Sequence, residues 1–332
     1  MKPLHFAPLQ GYTQHAYRSI HARHIGGVCS YYTPFIRYEK GGVRRKDMVD
    51  ILPENNEDVL LVPQIIASGT DEFNYLCDAI QEKGYKRIDL NMGCPAPMQT
   101  KLGRGSALLS APQFVEELAR QMTQRPDVRF SVKMRLGWKQ PDEWRHVLPI
   151  LHELPLAHIT MHPRIGIQQY KGEVDMEMFR AFYEECRHPL VYNGDLQTLD
   201  DLARIESEFP QLSGLMMGRG LLGNPFISAE YASGTEWHWA DRRDAVLRMH
   251  DDWLQFCRQK YVSDSQVLLQ IKPFWEYQKT WIEKKIYKQL MKSGSFRNYM
   301  TAIKRFSSSL ASCTYSTARL MQSSCCLGVP VK

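Results

Sequence analysis

The sequence predicts a (β/α)8 barrel followed by a separate helical domain. Over residues 1–235, short apolar runs alternate with segments of helical periodicity, which is typical of parallel strands joined by helices. Eight such runs favour a closed barrel over an open doubly wound sheet. Strand-like runs then stop, and residues 240–306 show only helical spacing. The tail, residues 307–332, is rich in Ser, Thr and Cys and is predicted to be disordered.

The individual elements follow from the periodicity and from the turn residues that bound each run. Strands are predicted at Leu4–Leu9, Val28–Tyr32, Leu60–Ile66, Arg87–Asn91, Phe130–Met134, His158–His162, Leu190–Asn193 and Gly214–Gly218. Helices are predicted at His15–Arg23, Asp71–Lys83, Pro112–Met122, Pro141–Glu153, Met176–Glu185 and Leu196–Glu208. The link at residues 37–59 is charged and has no clear period, so it is predicted to be irregular.

Composition restricts the class of protein. A hydrophobic content of 43% with 23% charged residues is ordinary for a globular chain. No apolar run approaches the roughly 18 residues of a membrane span, and the first residues show no signal segment. The eight cysteines form neither a CxxC pair nor a zinc-type cluster with histidine. We therefore expect a cytoplasmic protein without a membrane partner, a metal or a disulfide framework. A monomer is the expected state, although composition does not bear on it.

The charge is unevenly distributed along the chain. Residues 1–240 contain 26 Lys and Arg against 29 Asp and Glu, a net charge of −3. Residues 241–305 contain 14 against 7, a net charge of +7. This asymmetry indicates a polyanionic partner for the helical domain, with a merely solvated basic face as the alternative.

One thiol follows the fourth predicted strand. Residues 91–95 read Asn-Met-Gly-Cys-Pro, a loop in which glycine and proline stop regular pairing. A reactive side chain at a strand's carboxyl end, beside a glycine-rich loop, is typical of α/β enzymes. The alternative is a buried structural thiol. Its loop position, rather than a place on an apolar face, favours a functional Cys94.

Polar residues also stand at the ends of the other predicted strands. Lys133 and Arg135 lie two apart, so both leave one face of a strand, which is costly unless an anion or electron-rich ring meets them. The turns at residues 193–195 and 218–220, Asn-Gly-Asp and Gly-Arg-Gly, have the glycine content of phosphate-binding turns. Gln64 and His162 end two further strands, although a capping glutamine and a core histidine are structural alternatives.

The motif Asn-Met-Gly-Cys-Pro, followed by Lys-x-Gly-x-Gly-Ser-Ala-Leu-Leu, resembles the signature of the tRNA-dihydrouridine synthases. These are FMN-dependent TIM-barrel enzymes with a C-terminal helical domain. The resemblance extends from residue 7 to about residue 225, with a looser match to about residue 306. It implies FMN as cofactor, NADPH or NADH as electron donor, and tRNA as substrate. The FMN-binding residues that it implies are Pro8, Leu9, Gln10, Gln64, Lys133, His162, Asn193, Gly194, Gly218 and Arg219, and we include Asp195 from the same turn.

The resemblance also implies a mechanism and a set of substrate contacts. A hydride from reduced FMN reaches C6 of uracil, and a proton must then reach C5 from the opposite face. A thiol with a pKa of about 8.5 is mostly protonated at neutral pH, so Cys94 is expected to donate this proton. The expected substrate contacts are Asn91, Arg135 and Arg37, with Lys101 and Arg104 closing over a flipped base.

Two other functions fit parts of the sequence. An FMN barrel that reduces a small free molecule, such as a pyrimidine or an enone, would leave the basic helical domain without a role. An RNA-binding protein that has lost its redox chemistry would purify without flavin. Salt-dependent binding to tRNA discriminates the first alternative, and the colour of the purified protein discriminates the second.

Overall fold

The computed structural model describes residues 1–309, which divide into a first compact unit, Met1–Thr235, and a second that begins at Glu236. Residues 310–332, most of the tail predicted at 307–332, lie outside the described residues. Within the described part of the chain, all strands belong to the first unit and the second is helical. The predicted barrel and the helical segment after it are confirmed.

The first unit alternates strands and helices. Its strands are β1 (Leu4–Phe6), β2 (Ser30–Tyr32), β3 (Ile36–Glu39), β4 (Gly42–Val43), β5 (Leu61–Val62), β6 (Gln64–Ile66), β7 (Arg87–Met92), β8 (Arg129–Gly137), β9 (Ile159–Ile165), β10 (Leu190–Tyr192) and β11 (Gly214–Met217). Its helices are α1 (His15–His24), α2 (Arg45–Asp50), α3 (Thr70–Gln81), α4 (Pro97–Thr100), α5 (Pro112–Thr123), α6 (Trp144–His152), α7 (Met176–Glu185), α8 (Leu199–Glu208), α9 (Arg219–Gly223) and α10 (Ile227–Ser233). Short 3-10 helices cover Pro53–Asn55 and Gly105–Ser110.

The strands form a closed ring with eight parallel positions. β1 pairs with β2 on one side and with β11 on the other, and neighbours pair in chain order from β6 to β11. The third position, predicted as one strand, is divided at Pro63 into β5, which pairs with β2, and β6, which pairs with β7. Proline has no N–H to donate, so the hydrogen-bond ladder is interrupted at Pro63. The chain keeps its direction there, and β5 and β6 together fill the third position of the ring.

The prediction of an irregular link at residues 37–59 is wrong in part. β3 continues the second barrel position beyond Pro34 and pairs in parallel with β6. It then turns into a hairpin with β4 through Lys40 and Gly41, both of which have positive φ. α2 and the 3-10 helix at Pro53–Asn55 follow. These elements are short and rich in charged residues, so they show no apolar period in the sequence.

Several predicted boundaries also shift. β1 ends at Phe6 rather than Leu9, because Pro8 cannot continue the ladder. The helix predicted from Leu196 begins at Leu199, where Thr198 and Asp201 form a capping box. β8 and β9 extend to Gly137 and Ile165, beyond their predicted ends, so their side chains reach further toward the carboxyl end of the barrel.

The second unit consists of α11 (Trp239–Lys260), α12 (Asp264–Ile271), α13 (Lys284–Lys292) and α14 (Phe296–Ser307), with 3-10 helices at Lys272–Trp275 and Gln278–Thr280. A buried tyrosine joins three of these elements. The hydroxyl of Tyr299 accepts a hydrogen bond from Trp275 Nε1 at 2.7 Å and lies 2.8 Å from His250 Nε2. No helix among residues 1–309 is both long and apolar enough to cross a lipid bilayer.

Candidate active site at the carboxyl end of the barrel

The predicted site residues lie on or just after the carboxyl ends of the barrel strands. Because the eight positions are parallel, these ends meet at one mouth of the barrel. The residues concerned are Pro8, Leu9 and Gln10 after β1, Gln64 on β6, Asn91 and Cys94 on and after β7, Lys133 and Arg135 on β8, His162 on β9, Asn193, Gly194 and Asp195 after β10, and Gly218 and Arg219 after β11. The fold therefore brings together residues that are up to about two hundred positions apart in the chain.

Both backbone polar groups of Cys94 form hydrogen bonds. Its N–H donates to Asn91 Oδ1 at 2.8 Å, and its carbonyl accepts from the N–H and the hydroxyl of Ser106 at 3.1 and 3.0 Å. Gly105 has a φ of +65°, and a Cβ there would lie 2.6 Å from the Cys94 carbonyl oxygen. The thiol is half-buried, and this burial raises its pKa. Cys94 is therefore protonated at neutral pH.

Lys133 is a half-buried cation at the level of Asn91, its register partner on β7. Burial, followed by the charge of Arg135, lowers its pKa to about 8. Among residues 1–309 its ammonium group has no hydrogen-bond or ion-pair partner. The next strand places the hydroxyl of Thr160 beside it in register, and that buried oxygen also has no partner among the described residues. The site thus contains two unpaired polar groups that a ligand could satisfy.

Arg135 joins two loops at the mouth. Its guanidinium donates to the carbonyl oxygens of Gly93 at 2.9 Å, Ile165 at 2.9 Å and Gln169 at 2.6 Å. The first carbonyl belongs to the Cys94 loop, the second to the last residue of β9 and the third to the loop after β9. Three donor contacts to backbone leave Arg135 fewer N–H groups for a substrate than its predicted role assumed.

Two amides lie inside the barrel beside Cys94. Gln64 Nε2 donates to Asp89 Oδ2 at 2.7 Å, and Asn91 Nδ2 donates to Gln64 Oε1 at 2.8 Å. Asp89 also accepts from the hydroxyl of Ser131 at 2.6 Å. The sequence reasoning missed Asp89 and Ser131. The available signal was strand periodicity, because Asp89 lies two residues before Asn91 and so shares its inward face.

His162 lies within a group of cations. Its Nε2 is 3.2 Å from Arg164 NH1, which donates to it, so the ring proton belongs on Nδ1. Burial, with the charges of Arg135, Lys133, Arg164 and Arg219, lowers the pKa of His162 well below its usual value. His162 is therefore neutral and offers an Nδ1–H donor.

Asp195 neutralises part of this positive charge. Its carboxylate forms an ion pair with the buried Arg164, which also donates to the carbonyl of Gly172 at 2.7 Å. Arg219 NH2 lies 3.5 Å from Asp195 Oδ1. Asp195 was predicted as a cofactor contact, but here its carboxylate faces two arginines. The sequence reasoning missed Arg164, although it shares the inward face of β9 with His162.

Tyr170 is a further mouth residue that the sequence reasoning missed. Its ring lies near two guanidinium groups, with the ring centroid 4.5 Å from that of Arg219 and 5.3 Å from that of Arg135. The side chain is half-exposed on the loop after β9. An aromatic residue in a loop that follows a barrel strand was the signal that could have identified it.

Three backbone N–H groups in the turns after β10 and β11 are without an acceptor among the described residues. They belong to Gly194, Gly218 and Arg219. A Cβ at position 218 would lie 3.3 Å from the Cβ of Ala7, and one at position 194 would lie 3.0 Å from the Tyr192 hydroxyl. Asn193 braces the turn by donating from Nδ2 to the Met216 carbonyl at 2.8 Å. Free amides in a space that a side chain would fill suit a phosphate group.

The turn after β1 borders this group of amides. The N–H of Leu9 donates to Thr13 Oγ1 at 2.9 Å, and Gln10 Nε2 donates to the Phe35 carbonyl at 3.1 Å. A Cβ on Gly218 would approach the Leu9 side chain to 3.5 Å. Pro8 and Leu9 therefore lie beside the proposed phosphate position, whereas the Gln10 side chain is directed to the chain beyond β2.

The more peripheral predicted contacts behave differently. Lys101 is exposed just after α4. Arg104 was expected to close over a base beside it, and this expectation is wrong. The Arg104 side chain is buried, forms an ion pair with Glu72 and donates to the Tyr38 carbonyl at 3.1 Å. Arg37 is half-buried on β3, with its Nε 2.6 Å from Glu39 Oε1.

The family model and the individual relatives that this chain matches all belong to one family. The sequence model of the family described as "Dihydrouridine synthase (Dus)" matches residues 5–322. A tRNA-dihydrouridine synthase B of Pasteurella multocida is 30% identical over 165 residues, which is 49% of this chain and 49% of that protein. The tRNA-dihydrouridine(16) synthase of Pseudomonas putida is 27% identical over 260 residues, 75% of this chain and 80% of that protein. The chain spans about half the length of the synthase B relatives that it matches.

A solved structure also shares the barrel. The old yellow enzyme from Trypanosoma cruzi superposes with a TM-score of 0.51 at 9% sequence identity, covering 71% of this chain and 89% of that chain. At this identity the similarity concerns the fold. Among the residues described, no group of three or more His, Cys, Asp and Glu side chains is arranged to hold a metal ion.

Proposed function

We propose, because the chain belongs to the dihydrouridine synthase family, that it reduces the C5–C6 double bond of a uridine in tRNA to 5,6-dihydrouridine. The observation that carries this proposal is the meeting of three features at one barrel mouth: a protonated thiol, an unpaired lysine and free backbone amides. The thiol can donate a proton, the lysine can hold an electron-rich ring, and the amides can bind a phosphate.

The residues present suit FMN. Gly194, Gly218 and Arg219 would hold the phosphate, with Pro8, Leu9 and Asn193 bordering it. Gln64, Lys133 and His162 would hold the flavin ring system, since they offer donors on the inner face of the barrel. When bound, FMN supplies the hydride that is added to C6 of uracil, and NADPH or NADH is the proposed source of electrons.

Cys94 would deliver the proton to C5. Burial raises the pKa of its thiol, so the group carries its proton at neutral pH and can act as a general acid. Donation leaves a thiolate. The charges of Arg135 and Lys133 act in the opposite direction to burial and favour that thiolate. The site therefore keeps the acid protonated and still limits the cost of losing the proton.

The uridine would have to leave its stack to reach this mouth, because a base inside folded RNA is not accessible to a barrel. Asn91 uses one Nδ2 hydrogen for Gln64 and retains the second for a uracil carbonyl. Arg135, Lys101 and Arg37 remain the proposed contacts to substrate oxygens or phosphates. The basic second unit would hold the rest of the RNA backbone.

The direct test is mass-spectrometric mapping of dihydrouridine in RNA from cells with and without this protein. We expect at least one tRNA uridine to lose its dihydrouridine signal when the protein is absent and to regain it on complementation. An unchanged map, together with flavin-dependent reduction of a free pyrimidine or enone, would assign the chain to small-molecule reduction instead.

Arg219→Ala is expected to weaken flavin binding by about tenfold or more, since a hydrogen bond to a charged group contributes about 1.5–3 kcal/mol. The measurement is flavin content after dialysis and the dissociation constant from fluorescence titration with FMN. Arg180→Ala is the matched control. Arg180 also pairs with an acid and is half-exposed, but its partner is Glu208 on α8 rather than a mouth residue. Equal flavin affinity in wild type and Arg219→Ala would show that the phosphate assignment is wrong.

A further inference from the structure

A line of hydrogen bonds runs inside the barrel from Asp89 to the Cys94 backbone. Asp89 accepts from Gln64 Nε2 at 2.7 Å, Gln64 Oε1 accepts from Asn91 Nδ2 at 2.8 Å, and Asn91 Oδ1 accepts from the Cys94 N–H at 2.8 Å. Asn91 Oδ1 also accepts from the Gly93 N–H at 3.0 Å. Asp89 and Gln64 are completely buried, and Asn91 is nearly so. We call these links the Asp89 relay.

The relay has only one possible direction. At its outer end stand two backbone N–H groups, which can only donate, so Asn91 must present its oxygen to them and its nitrogen to Gln64. Gln64 must then present its oxygen to Asn91 and its nitrogen to Asp89. At the inner end an ionised carboxylate can only accept, and this agrees with the same arrangement. A reversed amide at either position would place two donors or two acceptors face to face.

We propose that Asp89 is a positioning residue that holds the Cys94 loop in place by fixing the amide orientations of Gln64 and Asn91. The proposal rests on the proposed function only for its consequence in catalysis, the placement of the proton donor. Asp89 itself is separated from Cys94 by the side chains of Gln64 and Asn91 and makes no hydrogen bond to the thiol.

Stability alone does not account for Asp89. A carboxyl group buried in a barrel loses its hydration, and this burial raises the pKa of Asp89 to about 6. An apolar side chain of similar shape would avoid that cost. What such a side chain would lack is the acceptor that orients Gln64. The second attachment of the loop, from Ser106 to the Cys94 carbonyl, lies on the other side of the peptide and does not orient Asn91.

The test compares Asp89→Leu with Asp89→Asn by the rate at which iodoacetamide alkylates Cys94, measured by peptide mass spectrometry. Leucine removes the acceptor, so the loop should loosen and the half-buried thiol should react about tenfold faster. Asparagine removes the same charge but can still present an oxygen to Gln64 and turn its nitrogen to the Ser131 hydroxyl. Its alkylation rate should stay close to that of the wild type. The two variants therefore distinguish the effect of losing the hydrogen-bond acceptor at residue 89 from the effect of losing its charge.

A second comparison separates positioning from general loosening. In an Asn91→Ala background the relay is already broken, so adding Asp89→Leu should change Cys94 alkylation by less than about twofold. The same tenfold increase in both backgrounds would mean that Asp89 acts independently of Asn91 and would overturn the proposal. A wild-type rate for Asp89→Leu beside a raised rate for Asn91→Ala would also overturn it.

Cys77 monitors the integrity of the fold, because it is completely buried on α3 and should stay unmodified. If Asp89→Leu also makes Cys77 reactive, Gln64→Leu replaces it, since it breaks the same relay one residue later. Wild-type Cys94 reactivity in a folded Gln64→Leu variant would then refute the relay. None of these alkylation rates depends on RNA or on turnover, so they remain decisive even if the substrate is not a uridine.

The catalytic consequence has a separate measurement. Reoxidation of the bound flavin by tRNA should be about tenfold slower in Asp89→Leu than in wild type. This slowing should exceed any change in flavin reduction by NADPH, which Gln64 can affect as a proposed flavin contact. Equal slowing of both steps would indicate a general defect and contradict a positioning role for Asp89. If tRNA reoxidises neither protein, the proposed function fails while the alkylation result still stands.

Discussion

Replacement of Cys94 by alanine is expected to slow dihydrouridine formation by about 10²–10⁴-fold, the usual contribution of a positioned general acid. The physical reason is the role proposed for Cys94 as proton donor, since burial raises the pKa of its thiol and keeps it protonated at neutral pH. Reduction of the flavin by NADPH should not change, because that step needs no proton at C5. The measurement is stopped-flow absorbance of the flavin in two separate half-reactions, first with NADPH and then with tRNA.

Cys29→Ala is the control for the loss of a thiol. Cys29 is an exposed free cysteine of the same unit, just before β2, and it should leave both half-reactions unchanged. Wild-type reoxidation by tRNA in Cys94→Ala would remove Cys94 from the mechanism. Equal slowing in both variants would point to a general requirement for thiols.

The pH dependence gives a further check on Cys94. A group that must be protonated supports the reaction below its pKa and stops supporting it above. Burial raises the pKa of Cys94, so the thiol-dependent decrease in the rate of reoxidation should lie on the alkaline side of an ordinary cysteine. Lys133, with a pKa of about 8, also loses its charge in the alkaline range. A decrease that persists in Cys94→Ala would belong to Lys133, and one that disappears would belong to the thiol.

The barrel could be predicted because its signals are local. Short apolar runs between helical segments are a property of neighbouring residues, and so is the helical spacing that covers α7 from Met176 to Glu185. The divided strand and the hairpin could not be predicted in the same way. The sequence predicts one strand through Pro63, at Leu60–Ile66. Its division depends on which distant strands pair with the two halves, β2 with β5 and β7 with β6.

The site shows the same division between local and long-range information. Cys94 and the glycine turns could be identified because glycine and proline mark strand ends in the sequence itself. Strand periodicity places Asp89 on the inward face with Asn91, but it does not show what Asp89 contacts. Its role was missed because it depends on a hydrogen bond to Gln64, 25 residues earlier. The prediction for Arg104 was wrong for a similar reason. A basic residue in a glycine-rich loop resembles a ligand contact, but Glu72, 32 residues earlier, binds it inside the protein.

Exchanging Lys284, Lys285 and Lys288 together for glutamine is expected to weaken tRNA binding by up to about 100-fold near physiological salt. These lysines lie on α13, whose Ile286 and Leu290 are buried while all three lysine side chains are exposed. Within residues 1–309 none of the three has an ion-pair partner. Their charges are therefore available to phosphates, and glutamine removes each charge with little change in helix propensity.

The decisive quantity is the salt dependence of binding, because each phosphate contact contributes about 0.7–0.9 to the slope of log K against log salt. Loss of three contacts should reduce that slope by about 2–3, with flavin content and the rate of NADPH oxidation unchanged. The matched control exchanges Lys86, Arg87 and Arg129 together for glutamine. These are three exposed cations at the amino ends of β7 and β8, opposite the mouth of the barrel.

The control triple removes the same net charge from the chain but should leave the slope close to that of the wild type. Equal decreases for both triples would show that tRNA responds to total charge rather than to α13. An unchanged slope for the lysine triple would mean that α13 presents a merely solvated face. The RNA surface would then be sought around Arg37, Arg44, Arg45 and Lys46. Of these, Arg37 and Arg44 already form ion pairs with acidic residues, whereas Arg45 and Lys46 are exposed. Arg45 and Lys46 would therefore be exchanged for glutamine next.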